Sequence, residues 1–249
     1  QLLLCVYSQD RTHWDSKSER RFLRRVKEEG HRALLAFCSP LAPSNDSYLA
    51  ALEMAGTRVI HIEPYRTRLP DQEYIMPDYR KAGHMAVIEL LLAGYSRIIL
   101  AGTSFCSPFA ALFAEGVAAG LTEHGGGYDA ESCRFDIGLA FKDNAESQER
   151  LLDRIGEGRS TGVACTSAQM ADLLGRWLSE CGVSVPEEVG LVGPTLIGPY
   201  HAEQQTACIY FDRVALLKRA VDAAMKPWDQ KARILVAPEF RPGNTMRKR

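Results

Sequence analysis

Residues 162–193 read GVACTSAQMADLLGRWLSECGVSVPEEVGLVG, and this stretch decides the fold. It predicts a short apolar strand over 162–165, a helix over 168–180 and a second apolar strand over 189–192. Gly182 follows the end of the helix and Pro186 precedes the next strand, which are positions that these residue types favour. The stretch is therefore a strand–helix–strand repeat of the kind that builds parallel sheets.

The same alternation runs through the rest of the chain. Further strands are predicted at 2–7, 33–37, 58–62, 97–101, 208–210 and 234–236, and further helices at 18–29, 47–55, 78–92, 107–124, 145–155 and 212–225. Short, continuous apolar strands that alternate with helices indicate parallel sheets covered on both faces. The sequence therefore predicts an α/β protein.

The composition excludes several functional classes. The 249 residues carry a net charge of −1, so we predict that this chain does not bind DNA on its own. No apolar run approaches the roughly 18 residues that a membrane span needs. The seven cysteines are odd in number and lack tight spacing, which indicates reduced thiols in a cytoplasmic protein. No histidine pairs with a cysteine or carboxylate at metal-ligand spacing, so we expect neither a metal nor a cofactor.

Three passages resemble a known family. The segment 181–193, CGVSVPEEVGLVG, is similar to the "GLRVPEDVSVVG" of lactose-repressor-type transcription regulators. The segment 78–102, DYRKAGHMAVIELLLAGYSRIILAG, resembles their "DNxxGGxxAxxHLxxLGHRRIAxIGG". The closing PEFRPGNT at 238–245 is similar to their "PxELVxRxST". The resemblance is to the effector-binding part of these proteins and spans nearly the whole chain.

The resemblance implies two Rossmann-like lobes with parallel sheets, joined by three crossover segments, as in the periplasmic-binding-protein type I fold. We expect an N-terminal lobe from 1–75 and 211–231, and a C-terminal lobe from 76–210 and 232–249. The spacing from Leu2 to Glu63 fits the family only if the strand at 2–7 is its second. The family's first strand and helix, and its DNA-binding head, are then expected upstream of Gln1.

Ligands of open α/β sheets bind at the C-terminal ends of the strands. The candidate ligand-binding residues lie at such ends, next to a crossover or on the wall between them: Ser39, Glu63, Tyr74, Asp78, Phe113, Ser167, Thr195 and Tyr210. Six of them have a structural alternative, namely core packing for Phe113, helix capping for Asp78 and Ser167, a turn for Glu63, and packing at the crossovers for Tyr74 and Tyr210.

The family holds sugars with an Arg, an Asn and an Asp, and the matching positions here carry Phe113, Ser167 and Thr195. Sugar hydroxyls buried without charged or amide partners cost about 1–3 kcal/mol each. We therefore expect weak or no binding of common hexoses and pentoses. A neutral or cationic ligand that is less polar or aromatic fits these residues better, and loss of effector control is the alternative.

The resemblance implies the ligand-sensing and dimerisation domain of a bacterial transcription regulator, such as a repressor, working as a homodimer. DNA would be contacted only through a domain upstream of this chain. A solute-binding protein of a transport system is the alternative, since it shares the fold. A small α/β enzyme is less favoured, because the chain lacks the GxGxxG, GxxxxGK[ST] and GxSxG patterns.

Overall fold

The computed structural model describes residues 2–5, 16–37, 45–62, 72–102, 108–124, 134–137, 145–156, 160–196 and 206–248. The chain divides into two compact units. The first contains Gln1–Pro77 and Val214–Val236, and the second contains Asp78–Arg213 and Ala237–Arg249. The chain therefore passes from one unit to the other three times.

The first unit is built on a parallel sheet. Its described strands are β1 (Leu2–Cys5), β2 (Ala33–Ala36), β3 (Arg58–Ile62), β4 (Glu73–Pro77) and β10 (Arg233–Val236), in the spatial order β1-β2-β3-β4-β10. Its helices are α1 (Ser16–Glu28), α2 (Asp46–Met54) and α7 (Arg213–Met225). The apolar stripes of α1 and α2 cover one face of the sheet, through a buried cluster of Leu23, Val26, Leu34, Ala36, Leu49, Leu52 and Val59.

The second unit has a sheet whose order reverses at its first strand. Its described strands are β5 (Arg97–Gly102), β6 (Arg134–Asp136), β7 (Thr161–Cys165), β8 (Val189–Thr195), β9 (Cys208–Tyr210) and β11 (Glu239–Arg241), in the spatial order β11-β9-β8-β7-β5-β6. All pairs are parallel except that of β11 with β9. Because β6 and β7 lie on opposite sides of β5, this is a doubly wound sheet.

The helices of the second unit are α3 (Tyr79–Leu92), α4 (Pro108–Glu123), α5 (Ala145–Gly156) and α6 (Ala168–Glu180). Glycines bring α3 and α4 into backbone contact. A Cβ atom on Gly83 would overlap the carbonyl oxygen of Phe113, and one on Gly116 would overlap that of Arg80. On α6, Ala171, Leu174 and Leu178 are buried against β7 and β8.

The predicted α/β class with two lobes is confirmed. The structure corrects the position of the strand predicted at 234–236, which the predicted boundaries assign to the C-terminal lobe. This strand is β10, and it pairs with β4 in the first unit, with Ile234 opposite Ile75 and Leu235 opposite Met76. The divisions between the units fall after Pro77, Arg213 and Val236, each a few residues beyond the predicted ones. Strands β4, β6 and β11 were not predicted, since their segments are short and partly polar.

Candidate functional site

The C-terminal edge of the second sheet brings three of the predicted residues together. Strands β7, β8 and β9 are adjacent and parallel, so the residues that end or follow them share one edge. Ser167 follows β7, Thr195 ends β8 and Tyr210 ends β9, and Thr195 lies opposite Tyr210 in the ladder. This is the edge at which open α/β sheets bind ligands.

Ser167 begins helix α6. Its backbone is extended, and its Oγ accepts a hydrogen bond from the backbone N–H of Met170 at 3.1 Å. Its carbonyl lies so close to Gly193 that any side chain at residue 193 would overlap it. The Ser167 hydroxyl is therefore held at the positive end of the α6 dipole, and its O–H proton remains available for donation.

Thr195 and Tyr210 are both buried beside this helix start. The Thr195 carbonyl accepts from the Phe211 N–H at 3.0 Å, and Tyr210 packs with Ala168 and Cys208. The Arg241 guanidinium carbon stands 3.4 Å from the centroid of the Tyr210 ring. Arg241 is exposed, and so is Glu239, which lies directly opposite Tyr210 on β11. The structure therefore adds a cation and a carboxylate beside Tyr210.

Two other predicted residues of the second unit have structural roles. One oxygen of Asp78 accepts from the Lys81 N–H at 2.9 Å and caps α3. Phe113 has no exposed side-chain surface and lies on α4 where that helix touches α3. The structure favours core packing for Phe113, because a fully buried ring offers no surface to a ligand.

The remaining predicted residues belong to the first unit. Tyr74 is half-buried on β4, opposite His61 of β3, and its N–H donates to the Ala232 carbonyl at 2.8 Å. Ser39 and Glu63 lie outside the described residues.

The structure adds two buried polar features in the first unit that the sequence analysis missed, a Glu19–Asn45 pair and the imidazole of His61. Glu19, Asn45 and His61 are only 2%, 2% and 6% exposed. Asn45 donates to Oε2 of Glu19 at 2.8 Å, whereas Oε1 of Glu19 and Nε2 of His61 have no hydrogen-bond partner within the described part of the chain. Unpaired buried polar atoms are rare and costly in folded proteins.

The pKa of the buried His61 imidazole is set mainly by its burial. Burial lowers the pKa of His61 to about 4, against the opposing effect of the nearby Asp46 carboxylate. His61 is therefore neutral at physiological pH. The position of this histidine within the apolar strand RVIHI is the sequence signal that could have predicted a buried imidazole.

Metal and membrane sites were also sought. No group of three or more His, Cys, Asp and Glu side chains is arranged to hold a metal ion among the residues with described positions. Over the same residues, no helix has the length and apolar character needed to cross a membrane.

Models of known protein families give no match to the chain, and neither do curated protein sequences. Solved structures do match. A sugar-binding LacI-family transcriptional regulator from Escherichia coli, complexed with phosphate, has a TM-score of 0.71 at 19% identity, over 93% of this chain and 83% of that one.

Two further structures match as well. The Escherichia coli transcriptional repressor AscG has a TM-score of 0.70 at 19% identity, over 94% of this chain and 84% of its own. A LacI-family regulator from Enterococcus faecium with bound ribose has a TM-score of 0.68 at 17% identity, over 92% and 85%. These similarities confirm that the chain has the fold of LacI-family effector-binding domains.

Proposed function

We propose that this chain is the ligand-sensing domain of a bacterial transcription regulator. The observation that carries the proposal is the grouping of Ser167, Thr195 and Tyr210 at the C-terminal edge of a doubly wound sheet, in a fold shared with regulators that were solved with ribose and with phosphate bound. A ligand bound at this edge can change the affinity for DNA only if it binds two conformational states of the protein with different affinities.

The side chains at this edge define the class of ligand. Ser167, Thr195 and Tyr210 supply hydroxyl groups, and the guanidinium group of Arg241 covers the Tyr210 ring. Neither a carboxylate nor an amide stands at the two positions where the family carries Asp and Asn. The proposed ligand is therefore neutral, less polar than a sugar, and equipped with hydrogen-bond acceptors.

The DNA-binding function is assigned to a separate head, outside the 249 residues. A net charge of −1 supports this assignment, because DNA affinity depends on clustered cations that neutralise phosphates. The proposal includes a homodimer in the cytoplasm, since a dimer matches the two-fold symmetry of palindromic operators. Cys165 and Cys208 are buried free thiols, which fits a reducing compartment.

A thermal-unfolding screen tests the ligand-binding half of the proposal. Sugars, sugar phosphates, amines and small aromatic compounds are added to the protein, and the melting temperature is measured. A stabilising compound is then tested on Thr195→Val, which removes a hydroxyl with little change of shape, and on the control Thr122→Val, an exposed threonine of α4. We expect Thr195→Val to lose the stabilisation and Thr122→Val to keep it.

The regulatory half is tested on the full-length protein with its native promoter DNA. The compound found in the screen should change DNA affinity in a gel-shift titration. A compound that binds through Thr195 but leaves DNA affinity unchanged would favour the solute-binding alternative. Stabilisation by a plain hexose that requires Thr195 would contradict the proposed ligand class.

A further inference from the structure

A groove runs between α1 and α2 on the first unit, whereas Ser167, Thr195 and Tyr210 belong to the second unit. Its volume is about 230 Å³, and it is lined by Leu23, Arg24 and Lys27 of α1 and by Ser47, Tyr48, Ala51 and Leu52 of α2. Leu23 and Leu52 are buried and form its floor. The α1 wall of the groove is cationic and the α2 wall is mainly apolar, and the choice of partner follows from this difference in charge.

The α1 wall is cationic. Arg20, Arg24 and Lys27 recur at the i, i+4, i+7 spacing that places side chains on one helix face. The helix as a whole carries six Lys and Arg residues and two Glu residues, within a chain of net charge −1. Arg24 and Lys27 are exposed and have no carboxylate partner among the residues that the structure describes. The described part of the chain therefore supplies no carboxylate to pair with Arg24 or Lys27.

The arginines of this wall are held in place by Tyr48. The guanidinium carbons of Arg20 and Arg24 lie 5.4 and 5.6 Å from the centroid of the Tyr48 ring. Arg24 Nη2 donates to the Tyr48 hydroxyl at 3.1 Å, and this hydrogen bond lowers the pKa of Tyr48. Because the guanidinium groups are already ordered, an anionic partner loses less side-chain entropy on binding them.

The α2 wall is mainly apolar. Tyr48 and Ala51 are partly buried along the groove, and Met54, one turn after Ala51, is 89% exposed. The groove thus presents an apolar strip beside a parallel row of cations.

Two occupants fit this arrangement poorly. A second copy of the chain docked symmetrically through α1 would bring two cationic helices together, which is repulsive. A DNA backbone would satisfy the cations but leave the apolar floor and Met54 unmatched, and the Tyr48 ring is already covered by arginines and cannot stack on a base.

We propose that the α1–α2 groove binds an acidic amphipathic helix of a partner protein. Apolar side chains of that helix, spaced by three or four residues, enter over Leu23, Ala51 and Leu52. Its Asp or Glu side chains, on the adjacent stripe, pair with Arg24 and Lys27. This is a protein-docking surface, separate from the ligand-sensing residues and independent of whether the sensing function is correct.

The probe is a fluorescent peptide of about 15 residues. In it, Leu recurs at helical spacing and Glu occupies the position before each Leu. The matched control peptide has Gln in place of every Glu. Binding to the 249-residue protein is followed by fluorescence anisotropy at low and high salt. We expect the Glu peptide to bind at least about tenfold more tightly than the Gln peptide at low salt, and this difference to shrink as salt screens the charges.

Variants of the protein locate the contact. The double variant Arg24→Glu, Lys27→Glu should weaken Glu-peptide binding more than about tenfold, and Ala51→Arg, which fills the groove, should weaken both peptides. Arg21→Glu removes an exposed cation of α1 that does not line the groove, and should change the affinity less than about twofold. Circular dichroism and melting temperature confirm that each variant is folded.

Several results would overturn the proposal. These are no binding of either peptide, equal affinity for the Glu and Gln peptides, or an equal loss in Arg21→Glu, which would indicate diffuse charge attraction. Displacement of the peptide by duplex DNA at the same salt would point to nucleic acid instead. Conversion of a dimer to a monomer by Arg24→Glu, Lys27→Glu in sedimentation would assign the groove to a second copy.

Discussion

Lowering the pH from about 7.5 to about 5 should destabilise this protein through His61. The imidazole is buried on β3, and burial lowers its pKa from the ordinary 6.5 to about 4. Between these two values the unfolded chain binds a proton that the folded protein does not. Stability therefore falls as pH drops through 6.5 towards 4, and above 6.5 His61 contributes no pH dependence.

The size of the effect follows from the two pKa values. At about 1.4 kcal/mol for each unit of pKa, a depression from 6.5 to about 4 corresponds to about 3 kcal/mol once the pH is below both values. At pH 5, where the unfolded histidine is largely protonated and the folded one is not, about 2 kcal/mol of this is lost.

The comparison with His61→Leu isolates this contribution from that of the carboxylates. Leucine fills a similar volume and cannot titrate, and it also removes the unpaired Nε2 atom. Denaturant unfolding of both proteins at the two pH values should show that the wild type loses about 2 kcal/mol more than the variant on acidification. At pH 7.5 the variant should be at least as stable as the wild type, because replacing an unsatisfied polar group with an apolar one removes a cost.

Equal losses in the two proteins would refute the reasoning. So would a titration of the His61 ring protons, followed by nuclear magnetic resonance, that gave a pKa near 6.5. Either result would show that the imidazole reaches water or finds a hydrogen-bond partner in the folded state.

Three further predictions concern stability and are measured by denaturant unfolding. Arg58→Met should cost about 3–5 kcal/mol, because it leaves the buried Glu73 carboxylate without the guanidinium that donates to it at 2.9 and 2.6 Å. Adding Glu73→Gln should recover part of this loss. An unaltered stability in the single variant would contradict the prediction. Gly116→Ala should cost about 1–3 kcal/mol or more by forcing α4 away from the Arg80 carbonyl, whereas Gly156→Ala, with no atom near the added Cβ, should be tolerated. Ser167→Ala should cost about 1 kcal/mol by removing the cap of α6, and Ser167→Asn, which retains a capping oxygen, should cost less.

Most of the fold could be predicted because its signals are local. Helix α6 is bounded by a serine cap and by Gly182 at φ 80°, and α3 by an aspartate cap and Gly94 at φ 85°, so both ends of each helix are written in neighbouring residues. What could not be predicted is the sheet that a short strand joins. Strand β10 belongs to the first unit because it pairs with β4, and that choice depends on residues far apart in the sequence.

In the candidate site, residues at strand ends could be predicted from the sequence, and contacts between distant residues could not. The common sheet edge of Ser167, Thr195 and Tyr210 could be predicted because each follows or ends a recognisable strand, and their role in binding stays a prediction. Arg241 was missed because it reaches the Tyr210 ring through the antiparallel pairing of β11, which the sequence does not signal. The Glu19–Asn45 contact joins residues 26 apart, one on α1 and the other at the N-cap of α2, and no local pattern links them. Phe113 was named as a ligand-binding residue because it stands where the family carries an Arg. Its burial where α3 meets α4 depends on glycines from both helices, which no local pattern links.

The capping bonds limit how the proposed ligand is recognised. Ser167 Oγ already accepts the Met170 N–H, so the group that it offers a ligand is its O–H donor. The N-terminal end of α6 adds a positive potential at the same place, and the exposed Arg241 adds a cation beside Tyr210. All three favour a carbonyl, ether or other acceptor oxygen over an ammonium group at this edge. The sequence favoured a neutral or cationic ligand because Glu63 and Asp78 were taken as its charged walls. With Asp78 bonded to α3, and with Arg241 and Glu239 placing opposite charges beside Tyr210, we expect a neutral ligand with acceptor oxygens to bind at the second unit.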